Sequence, residues 1–475
     1  MISTQNSLGL YTDFYELTMA QGYFLNGKKD ETATFDYFFR TNPYKGGFTV
    51  FAGLQDFLDL LTDFTFSTSD IAYLKAQGLN DTFLDYLKDF AFSGDIFSVN
   101  EGEIVFPNEP ILRVEGNIIE CQVIESALLN ILNFESLIAT KAFRIKLVSG
   151  KTTFSDFGLR RAQGFGALHG SRATIIGGAT STSNVLAGKL FDVPISGTQA
   201  HSWILSFDSE IEAFRAFAEG NPDNTILLVD TFNTLKMGIP NAITVAKEME
   251  QKGHQLKAIR LDSGDLAYLS KKARKMLDNA GLGYVKIIAS NQLNEFVVKS
   301  LLHDQNAPLD GFGIGTELIT GKSDAALDGV YKLAVLNSLP KMKFSENIEK
   351  VTLPGKKQLI RYFDENGNFF RDGILCADEN PLVVSTIFHP VYSGKNTEIS
   401  TCKQETLTQK VVATGTIILK KRNPLQIHKY LEERAKLLPQ EHKRFISPHL
   451  YKVGISQKLM DTRNALTKKL KTSHK

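Results

Sequence analysis

The chain has 475 residues, 43% of them hydrophobic and 22% charged. That is enough for about three domain-sized units, and it excludes collagenous and low-complexity architectures. Net charge is only +2, but residues 1–150 carry 10 Lys+Arg against 20 Asp+Glu, whereas residues 421–475 carry 14 against 4. The basic tail lacks the aromatic interleaving of a strand-binding groove. No nucleic-acid partner is therefore expected, and the tail reads as a solvated helical face or as a partner for acidic surface, in this chain or a neighbouring subunit. No run approaches the ~18 uninterrupted apolar residues of a membrane span. Residues 1–6 lack a basic region ahead of an apolar stretch, so no signal peptide is expected. Cys121, Cys376 and Cys402 are too few and too widely spaced for a zinc set or a disulfide framework. The expectation is a cytoplasmic chain without membrane association.

From the start, 96–120 reads as short strands with turns at 100–102, 107–108 and 115–117, followed by a helix through Val123, Ala127, Leu128, Ile131 and Leu132. The centre is more regular. The apolar, β-branched runs 225–232, 256–262 and 285–290 predict buried strands. A helical face at Ile243, Ala246 and Met249 follows the first run. Another at Leu266, Leu269, Ala273, Met276 and Leu277 follows the second, and a third through Leu293, Phe296, Val297 and Leu301 follows the last. Residues 311–316 then read as a glycine-rich loop. Strands alternating with helices predict a parallel sheet, and several units in a row predict an α/β barrel. After about residue 339 the chain returns to short strands at 350–362 and 411–419 and ends in a basic helical tail. The domains expected are 1–145, β-rich and helical; 146–339, the catalytic barrel; and 340–475, packing with the first.

The polar residues of the central region sit where strands end: Asp230, Asp262 with Ser263, Ser290 with Asn291, and Gly313 with Gly315 and Thr316. That rim is where α/β barrels bind ligands. Asp262 and Ser263 also suit a helix cap, but four consecutive polar strand ends favour a shared site. In 154–161 an arginine pair follows Phe157. It suits either an anion fork with a stacking ring or a surface salt bridge behind a core Phe. The Gly/Ser/Thr-rich stretch 166–184 is either an anion cradle or a connector. His201 sits among small residues beside Trp203, and a lone histidine is most often structural. Asp230, at the end of the next predicted strand, raises its promise, since a carboxylate on one ring nitrogen frees the other as a nucleophile or base.

Eight segments, in this order along the chain, closely resemble the nicotinate phosphoribosyltransferase family. They are TDFYELTM at 12–19, DFGLRRAQ at 156–163, SGTQAHS at 196–202, LDSGDL at 261–266, GFGIGT at 311–316, DGVYK at 328–332, TLPGK at 352–356 and SPHLYKV at 447–453. Each is weak alone; the ordered set spans nearly the whole chain. The resemblance implies an irregular α/β barrel of the type II phosphoribosyltransferase kind beside a β-rich domain formed from both chain ends, in a homodimer with shared active sites. It implies that nicotinate attacks C1 of phosphoribosyl pyrophosphate, with Mg²⁺ present and ATP hydrolysis coupled through a phosphohistidine, as the first step of NAD synthesis from nicotinate.

By the same resemblance, His201 is the phosphohistidine and Asp230 orients it. Phe157 and a partner subunit's Tyr15 sandwich the pyridine ring. Arg160 and Arg260 supply positive charge. Asp262 holds ribose hydroxyls or water on Mg²⁺. Gly313, Gly315 and Thr316, with Ser290 and Asn291 nearby, hold the 5′-phosphate. Lys332, Lys343 and Lys350 contact ATP phosphates. The nicotinamide phosphoribosyltransferases are the nearest alternative, and they place an aspartate opposite the substrate amide. Here the matching stretch is Thr182-Ser183-Asn184, and Ser183 does not repel a carboxylate. A non-catalytic nucleotide-binding protein of the same fold is the other alternative, disfavoured by His201, Asp230, Arg160 and Asp262 together.

Overall fold

The computed structural model describes residues 7–344, 351–392 and 394–473. The chain forms two compact units, one of Met1–Leu137, Ala326–Arg422 and Lys429–Lys475, the other of Ile138–Ala325 and Asn423–His428. The first is therefore assembled from both chain ends. It differs from the expected boundaries at Gly329–Leu336, which pairs antiparallel with Thr32–Phe39 rather than joining the barrel.

This first unit contains two sheets of six or more strands. The larger runs Leu339–Pro340, Gly329–Leu336, Thr32–Phe39, Leu112–Asn117, Asp95–Ser98, Gln409–Ala413 and Thr416–Ile417, antiparallel throughout. The other is a six-stranded sheet around Lys357–Phe363 and Phe369–Cys376. The strand expected over 350–362 starts later, at Lys357, and Lys350 lies outside the described residues. The stretch Ile118–Ser149 is long and apolar enough to cross a bilayer, but 72% of its most apolar window is buried inside the protein.

The acidic and basic chain ends meet in this unit. Arg361, fully buried, donates to Asp372 at 2.6 Å, Glu103 at 2.6 Å and the Ile104 carbonyl at 2.8 Å. Arg434, from the basic tail, donates through Nε to Glu103 and through Nη1 to Glu405 at 2.8 Å. Tyr451 donates to Asp372 at 3.0 Å and stacks on Phe106. Burial raises the Glu109 carboxyl well above its usual range, and neighbouring Asp372 adds to the rise. Removing one partner from such a network leaves uncompensated buried charge. Arg361→Ala should therefore lower stability by about 3–5 kcal/mol, read from the shift in chemical denaturation midpoint. A shift below about 1 kcal/mol would contradict the network's role.

The second unit carries a six-stranded parallel sheet in the order Ser181–Thr182, Thr153–Asp156, Gly311–Ile314, Lys286–Ser290, Ala258–Leu261, Ile226–Leu228. Helices Ile239–Gln251 and Leu266–Asn279 bury Ala246, Met249, Ala273 and Leu277 from the predicted faces. No ladder joins the first and last strands among the described residues. The chain at 194–201 stands in that gap: Thr182 N donates to the Pro194 carbonyl and Ser196 N to the Thr182 carbonyl, each at 3.0 Å. The result is an irregular α/β barrel.

Two sequence expectations are corrected here. Residues 311–314 are a fully buried strand, not a loop. Gly313 serves close packing, since a Cβ there would lie 2.5 Å from ring carbons of Phe157. The Gly/Ser/Thr-rich stretch 166–184 is neither cradle nor connector over most of its length. Gly166–Ile176 is a helix, and Ser171 and Thr182 spend their hydroxyls on buried Asp156, each at 2.8 Å.

Candidate functional site

The C-terminal ends of the parallel strands gather one polar cluster. Arg260 sits near the end of Ala258–Leu261 and fans out to three neighbours. Nη1 donates to Asp262 Oδ1 at 3.3 Å and to Ser290 Oγ at 3.2 Å, and Nη2 donates to the Gln199 carbonyl at 3.0 Å. Ser290, the last residue of its strand, donates to Asp262 Oδ1 in turn. Burial pulls the Arg260 guanidinium below its ordinary range, and nearby Arg160 pulls the same way, while Asp262 and Asp230 oppose. The group stays charged. Asn291 and Gln292 follow with φ of 85° and 46°. This left-handed backbone is a conformation that asparagine tolerates better than most residues, and it turns the chain sharply at the rim.

His201 opens the short helix His201–Leu205 just past the gap-spanning segment. Its Nδ1 lies 3.1 Å from Thr231 Oγ1, and its Nε2 lies 3.8 Å from Asp262 Oδ2. The expected pairing with Asp230 is therefore corrected. Asp230 Oδ2 accepts from the Asp262 backbone N–H and from Ser263 Oγ, both at 2.7 Å, and Oδ1 is buried without a partner. Asp230 fixes the 262–263 turn that places Asp262 near the ring. The following helix is capped not by Asp262 or Ser263 but by Asp265, which accepts from Tyr268 N at 2.9 Å. Neither Asp262 nor Ser263 serves that helix end.

On the other side of the sheet order, Phe157 N donates to the Ile314 carbonyl at 2.8 Å and its half-buried ring packs on Gly313. Arg160 lies exposed on the turn Leu159–Arg161. Behind them Asp156 is a hub, accepting from Ser171 Oγ, Thr182 Oγ1 and the Gly158 N–H, each at 2.8 Å. Burial raises its carboxyl, and those three hydrogen bonds oppose the rise. Ser183 N donates to the Asp156 carbonyl at 2.8 Å, so the hub sets the position of Ser183 relative to Phe157. Gly315 and Thr316 begin the turn after the Gly311–Ile314 strand. Thr231, Gln199 and Asp156 were not anticipated. Thr231 adjoins Asp230, Asp156 opens the quoted DFGLRRAQ segment, and Gln199 lies inside the quoted SGTQAHS segment, so each stood beside a signal without being singled out.

Tyr15, Lys332 and Lys343 lie in the first unit. The segment around Tyr15 is clamped by its polar residues. Tyr11 donates to Asn130 at 2.7 Å, Thr12 to the Val123 carbonyl at 2.9 Å, and Ser126 to Asp13 at 3.0 Å. Gln122 Nε2 donates to Glu16 at 2.5 Å and Glu125 at 2.8 Å. Burial, with Glu16 as a like-charged neighbour, pushes the Glu125 carboxyl up to about 7, and Lys332 opposes. The clamp leaves Phe14 and Tyr15 standing out, 54% and 48% exposed. Lys343 is exposed, its N–H donating to Thr352 Oγ1 at 2.9 Å.

Comparison with known proteins places this arrangement. Family models match along nearly the whole chain: the nicotinate phosphoribosyltransferase N-terminal domain at 10–133, the nicotinate phosphoribosyltransferase family at 152–365 and its C-terminal domain at 356–463. A nicotinate phosphoribosyltransferase of Bacillus subtilis is 42% identical over 461 residues, covering 95% of this chain and 94% of the relative. One of Caenorhabditis elegans is 36% identical over 515 residues, covering 95% and 92%. The crystal structure of human nicotinic acid phosphoribosyltransferase superposes with a TM-score of 0.86 at 28% identity, covering 96% of this chain and 99% of that one. With family models matched over most of its length and a relative 42% identical across 95% of it, the chain belongs to the nicotinate phosphoribosyltransferase family.

Proposed function

We infer that the chain joins nicotinate to phosphoribosyl pyrophosphate, giving nicotinate mononucleotide and pyrophosphate, and that it couples this to ATP hydrolysis through a phosphohistidine at His201. The observation that carries the reading is the rim cluster, in which a half-buried His201 faces Asp262 while Arg260 ties Asp262, Ser290 and Gln199 together. As pyrophosphate leaves, C1 takes on oxocarbenium character and negative charge grows on the leaving group. Preorganised positive charge lowers that barrier, and Arg260 is held by three hydrogen bonds before substrate arrives. Phe157 supplies the flat apolar surface for the pyridine ring, with Arg160 and Ser183 toward its carboxylate. Gly315 and Thr316, with Asn291, receive the 5′-phosphate through backbone and hydroxyl donors, while Gly313 stays in the buried strand and Ser290 on Asp262.

Mg²⁺ suits the same rim, where it would neutralise phosphate charge. Asp230 Oδ1, a buried carboxylate oxygen without a partner, is a ready acceptor for a metal-bound water, beside Asp262. Thr231 and Asp262 orient the imidazole of His201 toward the γ-phosphate of ATP. Lys332 and Lys343 remain readings from the resemblance alone, as does Lys350. The free cysteines fit a reducing cytoplasm. Purified chain given nicotinate, phosphoribosyl pyrophosphate and ATP should form ADP and nicotinate mononucleotide in constant ratio. Nucleotide formation with no ADP would remove the coupling from this reading.

Tyr15 completes the ring sandwich from a second subunit. The support is its exposure beside Phe14 on a clamped helix start, where an aromatic pair is held out rather than folded in. A homodimer with composite sites follows. Mixing Tyr15→Ala and His201→Ala subunits, each defective in ATP-coupled turnover, should restore coupled turnover, because one of the two sites in a mixed dimer is intact. No recovery despite demonstrated subunit exchange would count against it.

A further inference from the structure

Gln199 stands two residues before His201, in the segment that fills the gap between the first and last barrel strands. It is the buried residue of that segment, 4% exposed. Its main chain is held, since the carbonyl accepts from Arg260 Nη2 at 3.0 Å and from Thr198 Oγ1 at 3.2 Å. Its side chain is not: neither Oε1 nor Nε2 has a hydrogen-bond partner, and neither does the buried Nε of Arg260. A buried amide left unpaired at both atoms is unfavourable. The fold keeps one here, inside the cluster assigned to substrate, with an unpaired guanidinium N–H on the residue bonded to it.

A single group that satisfies both atoms of this amide must both donate and accept. At neutral pH the carboxylate of nicotinate only accepts, and so do the phosphate oxygens of phosphoribosyl pyrophosphate. Ribose hydroxyls do both. Asp262, the residue expected to read those hydroxyls, already accepts at Oδ1 from Arg260 and Ser290, which leaves room for a second reader. We propose that the Gln199 side-chain amide binds a ribose hydroxyl of phosphoribosyl pyrophosphate. The proposal rests on the reading that this compound is the chain's substrate.

The test is steady-state kinetics on full-length wild type and Gln199→Leu, with phosphoribosyl pyrophosphate and its 2-deoxy and 3-deoxy analogues. Gln199→Met, which keeps the length without the polar atoms, serves if the leucine variant does not fold. The variant should raise KM for phosphoribosyl pyrophosphate about tenfold, the scale of one lost hydrogen bond, and leave KM for nicotinate within about twofold. With one deoxy analogue, wild type and variant should become equal in kcat/KM, since the hydroxyl that Gln199 reads is gone. An unchanged KM for phosphoribosyl pyrophosphate in a folded variant overturns the proposal. So does a rise confined to nicotinate, or an equal penalty with the natural substrate and both analogues. Wild type that forms no nucleotide at all would instead overturn the parent reading, so the two failures are distinguishable.

Discussion

His201→Ala should abolish ATP-coupled turnover and the incorporation of acid-labile phosphate from γ-labelled ATP, while slow nucleotide formation persists. The histidine is half-exposed at the rim, with Nδ1 against Thr231 and Nε2 facing Asp262. An imidazole oriented by its neighbours is a competent nucleophile toward phosphorus, and no other side chain of the cluster is an imidazole. Arg260, Ser290, Phe157 and Asp262 remain in the variant, so binding and charge stabilisation survive its loss. Thr231→Val should give a milder version, through a less fixed ring. Asp230→Asn should also be mild, but by another route: Asp230 reaches the imidazole only by holding the 262–263 turn. The check is protein-bound label before and after acid. A His201→Ala protein that still gains the label would move the phosphohistidine elsewhere.

Ser183→Asp should lower kcat/KM for nicotinate by about two to three orders of magnitude. Two unit charges ~4 Å apart at an effective dielectric of ~20 repel by about 4 kcal/mol, and each 1.36 kcal/mol is tenfold in rate. Ser183 is placed by its N–H bond to the Asp156 carbonyl, and buried Asp156 is itself fixed by three hydrogen bonds. A new carboxylate there has little freedom to turn away. The same change should cost nicotinamide far less, because a carboxamide carries no charge to repel. Kinetics with both pyridines on the folded variant decide the point. Equal losses for the two would mean that Ser183 does not face the carboxylate.

Much of the barrel was legible because its strands are short apolar runs ending in polar residues. Arg260, Asp262 and Ser290 gather as their strand-end positions require. What the sequence hid has physical causes. Residues 311–314 look like a loop because two glycines interrupt them, yet Gly313 is the residue that admits the Phe157 ring. Thr231 and Asp230 are neighbours in the chain, and only the fold decides which of them meets His201. Gln199 is a neutral residue whose interest lies in what it fails to bond. That Gly329–Leu336 joins the expected two-end unit and not the barrel rests on its pairing with Thr32–Phe39, almost 300 residues away, for which no local pattern exists. Arg361 sits in a strand whose burial is nearly complete, and composition alone places such a charge outside.

The most direct test of the account is a comparison of kcat/KM for nicotinate, nicotinamide and quinolinate with phosphoribosyl pyrophosphate, with and without ATP and with each product identified. The account predicts nicotinate mononucleotide as the dominant product, turnover of nicotinate far above that of the other two, and enhancement by ATP that His201→Ala removes. Comparable kcat/KM for nicotinamide, or preferred release of carbon dioxide from quinolinate, would contradict it.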